Sequence, residues 1–206
     1  MEYIDDMTNI LTKFKLINNN NLYKTDHRIN IIFTDGSCLK NGKKNSSGGY
    51  ASLFVNGPYK GNLIYGKVQD DVVKATNIRA EYFGIISSLE KLQSGLTDNW
   101  YAAIIYTDSE FWIKMLYEYM PKWNSAKFDT KANPDLTKPL WKLWKELQAS
   151  NKEISLRNVF AHNKDKSATS TDPFKRFCHD NNAIVDNIAG IAGKLETYEP
   201  INIKLD

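Results

Sequence analysis

The sequence is short of several things, and each shortage removes a class of protein. It has only two cysteines, Cys38 and Cys178, in 206 residues, with no CxxC pair and no zinc-ligand spacing. A disulfide framework and a zinc module are therefore excluded, and a reducing, cytoplasmic setting is the expectation. No apolar run reaches 18 residues, so no transmembrane helix is expected and no membrane partner. The first residues, MEYIDDMTNILTKFKL, start acidic and lack the basic-then-apolar order of a signal peptide. Charge of one sign is not in large excess. The net charge is +3 and the pI about 8.6, which admits a nucleic-acid partner without demanding one. No GxGxxG follows the first strand, so a dinucleotide-binding fold is not indicated. Neither an internal repeat nor a long low-complexity segment is present.

What is there is a globular composition, with 42% hydrophobic and 25% charged residues. Residues 1–28 read as an extension, partly helical through Ile4, Met7, Ile10, Leu11 and Phe14. The domain proper is expected over residues 29–206. NIIFT at residues 30–34 reads as a short strand ending at Asp35-Gly36-Ser37. Strands follow at Tyr50–Asn56 and Asn62–Gln69, making an antiparallel meander. The period then becomes helical over Asn77–Leu96. A strand at Ala102–Tyr106 runs into Thr107-Asp108-Ser109. Phe111–Tyr119 reads as a helix stopping near Pro121, residues 122–138 as a loop, and Leu140–Gln148 as a helix. Ile154–Phe160 is a fifth strand, and INIKLD at the end a loose tail or a short added strand. Asp172-Pro173 supplies an N-cap and a first-turn proline for a last helix to about Leu195. These elements imply an α/β fold, a five-stranded mixed sheet of three antiparallel strands followed by two parallel ones, flanked by helices.

Two acidic residues, Asp35 and Asp108, each follow an apolar strand and precede small residues. Central strands of such a sheet end close together, so the two carboxylates can converge. Glu81 lies on the helix after the third strand. Asp186 lies on the last helix, four residues from Asn182 and on the same face. Converging carboxylates repel, and a divalent cation relieves the repulsion. Hard oxygen donors suit magnesium or manganese, and such a cluster suits two-metal phosphoryl transfer.

The order of motifs resembles the type 1 ribonuclease H family over residues 29–195. The chain has Thr34-Asp35-Gly36-Ser37-Cys38 with Asn41 and Gly48-Gly49-Tyr50, then Thr76-Asn77-Ile78-Arg79-Ala80-Glu81. Thr107-Asp108-Ser109 follows, and Asn182-x-x-x-Asp186-x-x-Ala189 closes the series. The resemblance implies a ribonuclease H-like fold and an endonuclease cutting the RNA strand of an RNA–DNA hybrid to 5′-phosphate and 3′-hydroxyl ends. Asp35, Glu81, Asp108 and Asp186 would hold two Mg2+ ions, with Mn2+ as a substitute. His162 would sit in a mobile loop and assist turnover. Cys38, Asn41, Thr76, Asn77 and Ser109 would face the hybrid, with Thr76 on a phosphate of the DNA strand and Asn77 on 2′-hydroxyls of the RNA.

The chain departs from the family at Ile78, which replaces an asparagine, at Glu110, which replaces a glutamine, and in a longer stretch between His162 and Asp186. Trp112, Trp123, Trp141 and Trp144 lie among seven lysines in residues 111–150, where acidic residues dilute the charge. Trp141 and Trp144 are expected in the core. The start at Met1 and the absence of a polymerase motif favour a stand-alone monomer over a piece of a reverse transcriptase. Two other readings stay open, a catalytically silent hybrid-binding relative and a junction-resolving nuclease of the same fold.

Overall fold

The computed structural model describes residues 12, 25–69, 73–131, 133–159 and 170–205. The N-terminal extension, apart from residues 12 and 25–28, and His162 lie outside them. Among the described residues the sheet has six strands. They are β1 (Ile29–Leu39), β2 (Ser47–Asn56), β3 (Asn62–Lys67), β4 (Ala102–Thr107), β5 (Glu153–Asn158) and β6 (Ile201–Lys204). Their order is β5-β4-β1-β2-β3-β6. β1 is antiparallel to β2 and parallel to β4. β3 is antiparallel to both β2 and β6, and β5 runs parallel to β4. The expected five-stranded mixed sheet is present, and the C-terminal tail adds a sixth strand at the edge.

Alternation along β1 divides the core. Ile31 and Phe33 point to one face and Ile32 to the other, as the two-residue period of a strand requires. On the Ile32 face pack α1 (Asn77–Ser94) and, farther along, α2 (Glu110–Lys114) with Trp112 fully buried. A π turn over Met115–Tyr119 and a 3-10 turn over Met120–Lys122 continue α2. Two further helices complete that layer, α3 (Ser125–Thr130) and α4 (Pro134–Gln148). Across the sheet α5 (Pro173–Ala192) lays Phe177, Ile184, Val185, Ile188 and Ala189 against the Ile31/Phe33 face.

Two local readings are corrected. Residues 122–138 are largely helical rather than a loop. Asn124 caps α3, its side-chain oxygen accepting from the Lys127 N–H at 2.9 Å. Pro134 opens α4 at a first-turn position, where its missing N–H costs no hydrogen bond. β1, secondly, does not stop at Asp35. It continues through Gly36 and Ser37 to Leu39, paired with β2 down to Ser47.

The outer edge of β5 is covered. The Tyr117 hydroxyl accepts from the Leu156 N–H at 2.9 Å, and the Gln148 amide donates to the Ile154 carbonyl at 2.8 Å.

Candidate active site

Parallel pairing between β1 and β4 reaches Phe33 opposite Tyr106. Two residues farther along each strand stand Asp35 and Asp108. β4 has ended by then, while β1 runs on beside β2 with Asp35 opposite Ala51. Asp35 thus occupies mid-strand, at the step where its parallel neighbour stops. The sequence reading placed it correctly beside Asp108 but for an incomplete reason, because the strand does not turn away at Gly36.

The function of Gly36 is packing. A methyl group there would lie 2.0 Å from the Glu81 nitrogen and 2.1 Å from the Ala80 carbonyl carbon. Only a residue without Cβ lets α1 descend onto β1 at this point, and that descent brings Glu81 to Asp35. Gly84, one turn on, lies against the Asp35 and Ala51 carbonyls. Gly49 does the same for α5, since a methyl there would meet the Gly193 nitrogen at 2.1 Å and the Ala189 carbonyl at 2.3 Å.

The first turn of α1 is fixed from three sides. Thr76 caps it, its Oγ1 accepting from the Arg79 N–H at 3.2 Å. The Trp112 indole N–H donates to the Ile78 carbonyl at 2.8 Å. The Arg79 guanidinium donates to Asp135 at 2.8 Å and is itself 8% exposed. Ile78 packs against the main core, which accounts for an apolar residue in place of the family's asparagine.

Asp35 is 6% exposed, and its Oδ1 accepts from the Gly36 N–H at 2.7 Å. Burial, then the charges of Asp108, Asp186 and Glu81, push its carboxyl up to about 8 against the opposing pull of that N–H. Among the described residues, every side-chain charge acting on Asp35 is thus another carboxylate. Glu81 is raised as well, first by burial and also by Asp108, and is opposed by a hydrogen bond from Ser109. The Ser109 hydroxyl donates to Glu81 Oε2 at 2.5 Å. Asp108 is half-buried and Asp186 exposed. The structure therefore gathers all four carboxylates into one electrostatic unit. They do not close on a single point: among the described residues no three acidic, histidine or cysteine side chains form a ready ligand cage.

The residues expected to face a duplex divide. Asn41 and Asn77 meet on the exposed rim, where Asn41 Oδ1 accepts from the Asn77 N–H at 3.2 Å. Thr76 has given one lone pair to its cap and keeps its hydrogen to donate. Cys38 is half-buried beside Tyr50, Val68, Ala75 and Ala80. Ser109 is 4% exposed and committed to Glu81, not to an external partner. Glu110 meets Lys114 one turn on at 3.3 Å. The rival histidine, His179, lies within α5 beside Asp180 at 3.2 Å. Trp112 and Trp144 are core residues, with Trp123 and Trp141 packed against the same core. Cys38 and Cys178 form no disulfide. Sequence reasoning missed the Arg79–Asp135 pair and the Ser109–Glu81 bond, which join residues 56 and 28 positions apart. It also missed the seating role of Gly36 and Gly49, whose only trace in sequence is glycine within a strand pattern.

Comparison with known proteins agrees with this arrangement. The RNase H family profile matches residues 27–191. Ribonuclease H of Wolbachia pipientis wMel is 32% identical over 148 residues, 71% of this chain and 92% of that protein. Ribonuclease H of Schizosaccharomyces pombe is 31% identical over 71% of this chain, which spans 51% of the yeast protein. Among solved structures, LC9-RNase H1, a type 1 RNase H with the type 2 active-site motif, superposes with a TM-score of 0.57 at 18% identity, covering 88% of this chain and 80% of that one. The prototype foamy virus protease-reverse transcriptase gives 0.60 at 17% identity over 86% of this chain and 23% of its own. Those two show the same fold. With the profile spanning most of the domain and the Wolbachia enzyme aligned along most of its length, this chain belongs to the ribonuclease H family.

Proposed function

We propose that the chain is an endoribonuclease that hydrolyses the RNA strand of an RNA–DNA hybrid, with Asp35, Glu81, Asp108 and Asp186 as its metal ligands. The observation that carries this reading is the state of Asp35. It is a buried carboxylate whose charged neighbours among the described residues are all carboxylates, with an N–H held at one oxygen. Such a group is stable in its ionised form only with a cation beside it. The donor set is all oxygen, which fits magnesium and, as a substitute, manganese.

Divalent ions there would supply an activated water and stabilise the oxygen that leaves phosphorus. The chain's own part is positioning. Gly36 and Gly49 set α1 and α5 at their depth on the sheet, and so bring Glu81 and Asp186 within reach of the charge of Asp35. Asp35 offers its Oδ2, because Oδ1 is engaged by Gly36. Asn41 and Asn77, side by side on the rim, can read 2′-hydroxyls, which tell RNA from DNA. The Thr76 hydroxyl can donate to a phosphate at the N-terminus of α1, where the helix dipole favours negative charge. Recognition of this kind sorts strands by sugar and shape with little regard to base sequence.

The test uses end-labelled RNA–DNA hybrid, duplex RNA and duplex DNA, each with magnesium, manganese or EDTA. Metal-dependent cutting confined to the RNA of the hybrid, leaving 5′-phosphates and lost in Asp35→Asn, is expected. Hybrid binding without cleavage under either metal overturns the reading.

A further inference from the structure

We infer that Ser109 is a positioning residue for Glu81: it holds one carboxylate oxygen in place so that the other faces Asp35 and Asp108. The inference rests on Glu81 being a metal ligand, as proposed above, and it moves Ser109 out of the substrate surface.

The bond itself sets the roles. An ionised glutamate can only accept, so the serine hydroxyl is the donor, and a short bond from a hydroxyl to a carboxylate is among the stronger hydrogen bonds. Ser109 is held in turn. Its N–H donates to Thr107 Oγ1 at 3.2 Å, and its carbonyl accepts from the Ile113 N–H at 3.3 Å. Thr107 is 1% exposed and Ser109 4%. Of the three residues in this motif, the first and third are thus turned inward to brace the loop, and Asp108 between them is the more open to solvent.

Glu81 needs such a brace. Its backbone is fixed by the seating of α1 on Gly36, but a glutamate side chain has three rotatable bonds beyond that. Its neighbour Asp108 repels it. Unrestrained, the carboxylate would swing away from the other acids. The hydroxyl ties down Oε2 and leaves Oε1 available. Asp35 shows the same division, with Oδ1 tied to the Gly36 N–H and Oδ2 available. Buried Asp35 and half-buried Glu81 are therefore each fixed through one oxygen and available through the other.

The test compares Ser109→Ala, Ser109→Thr and Ser109→Cys in the full chain. Three quantities are read: hybrid affinity in EDTA by fluorescence anisotropy, Mn2+ affinity of the free enzyme by titration calorimetry, and cleavage rate against Mg2+ concentration. In Ser109→Ala, hybrid affinity in EDTA stays within about twofold, because a buried side chain makes no contact with the duplex. Mn2+ affinity falls about tenfold, the usual loss when a group supporting a metal ligand is removed, and half-maximal cleavage moves to correspondingly higher Mg2+. Ser109→Thr keeps the hydroxyl and restores both metal readouts. Should the alanine variant fail to fold, the cysteine variant, a weak donor, should show the same metal defect beside a normal threonine variant. Weakened hybrid binding with unchanged Mn2+ affinity would overturn the inference and return Ser109 to the substrate surface. Unchanged values in all three assays would also overturn it. Failure of the wild-type chain to bind Mn2+ at all would instead overturn the proposed function, and so the two failures are distinguishable.

Discussion

α1 and α5 both reach the sheet over a glycine, Gly36 under the first and Gly49 under the second. Beyond that they hold their acids differently. α1 is capped by Thr76 beside the site, tied through Ile78 to Trp112, and ion-paired through Arg79 to Asp135, and its Glu81 is bonded to Ser109. α5 is capped by Asp172, and fourteen residues of helix, roughly 20 Å, separate that cap from Asp186. Asp186 itself is exposed and makes no hydrogen bond or ion pair with another described residue. Among the described residues one acid is thus fixed before any ligand arrives, and the other is not. Fixing every acid would add to the repulsion already stored at Asp35. Leaving one free lets the set close only when a cation is present.

The strongest way to break this comparison is at its base. Gly36→Ala should destabilise the fold by about 3 kcal/mol, since backbone and not a flexible side chain occupies the space, and should abolish cleavage. Gly49→Ala should cost similar stability in a urea titration. If Gly36→Ala kept wild-type stability and rate, the seating argument would fail.

The next largest effect lies in the acids themselves. The Asp35 carboxyl is raised from 3.8 to about 8 in the folded chain. The folded state therefore holds a proton that the unfolded state has lost between those values. Stability is full below pH 3.8 as far as this group is concerned, and it falls as pH rises to about 8. In EDTA the thermal midpoint of the wild type should drop between pH 5 and pH 8, and that of Asp35→Asn should drop less. At pH 8 the variant should be the more stable of the two, by on the order of 2 kcal/mol. Magnesium should lift the wild type and not the variant. Asp186→Asn removes only one of the charges that repel Asp35 and should raise the EDTA midpoint at pH 8 by less than Asp35→Asn does, while still removing cleavage. Equal shifts in the two variants would erase the distinction between fixed and free acid.

A smaller effect tests the clamp on α1. Asp135→Ala leaves the buried Arg79 charge unpaired and should cost about 1–2 kcal/mol, less than a fully buried pair because Asp135 is half exposed. Arg79→Met removes charge and desolvation together and should cost less than Asp135→Ala. The smallest change is Glu110→Gln. Its pair with Lys114 is exposed on both sides, and stability should move by less than about 0.5 kcal/mol.

The sheet was legible because its signals are local. Apolar runs at residues 30–34, 50–56 and 102–106 and the change to helical period after Asn77 are carried by neighbours in sequence. The acids were legible through four short motifs in a fixed order. What was not legible depends on partners far along the chain. Nothing near Gly36 says that Ala80 and Glu81 lie against it, and nothing near Ser109 says that its hydroxyl meets Glu81. Pro134 was read as punctuation, whereas it opens α4, because a proline before a helix and a proline in a loop look alike until the following apolar face is counted.

The covered margin of β5 has a consequence of another kind. An edge strand with free N–H and carbonyl groups is a template on which a second molecule can add a strand. Here Tyr117 takes the outward N–H of Leu156, and Gln148 takes the outward carbonyl of Ile154. At the opposite margin β6 is four residues long and ends in a lysine, short and charged in the way that discourages further pairing. Sheet growth is blunted at both margins, so among the described residues neither edge offers a long, bare strand on which one copy can extend another.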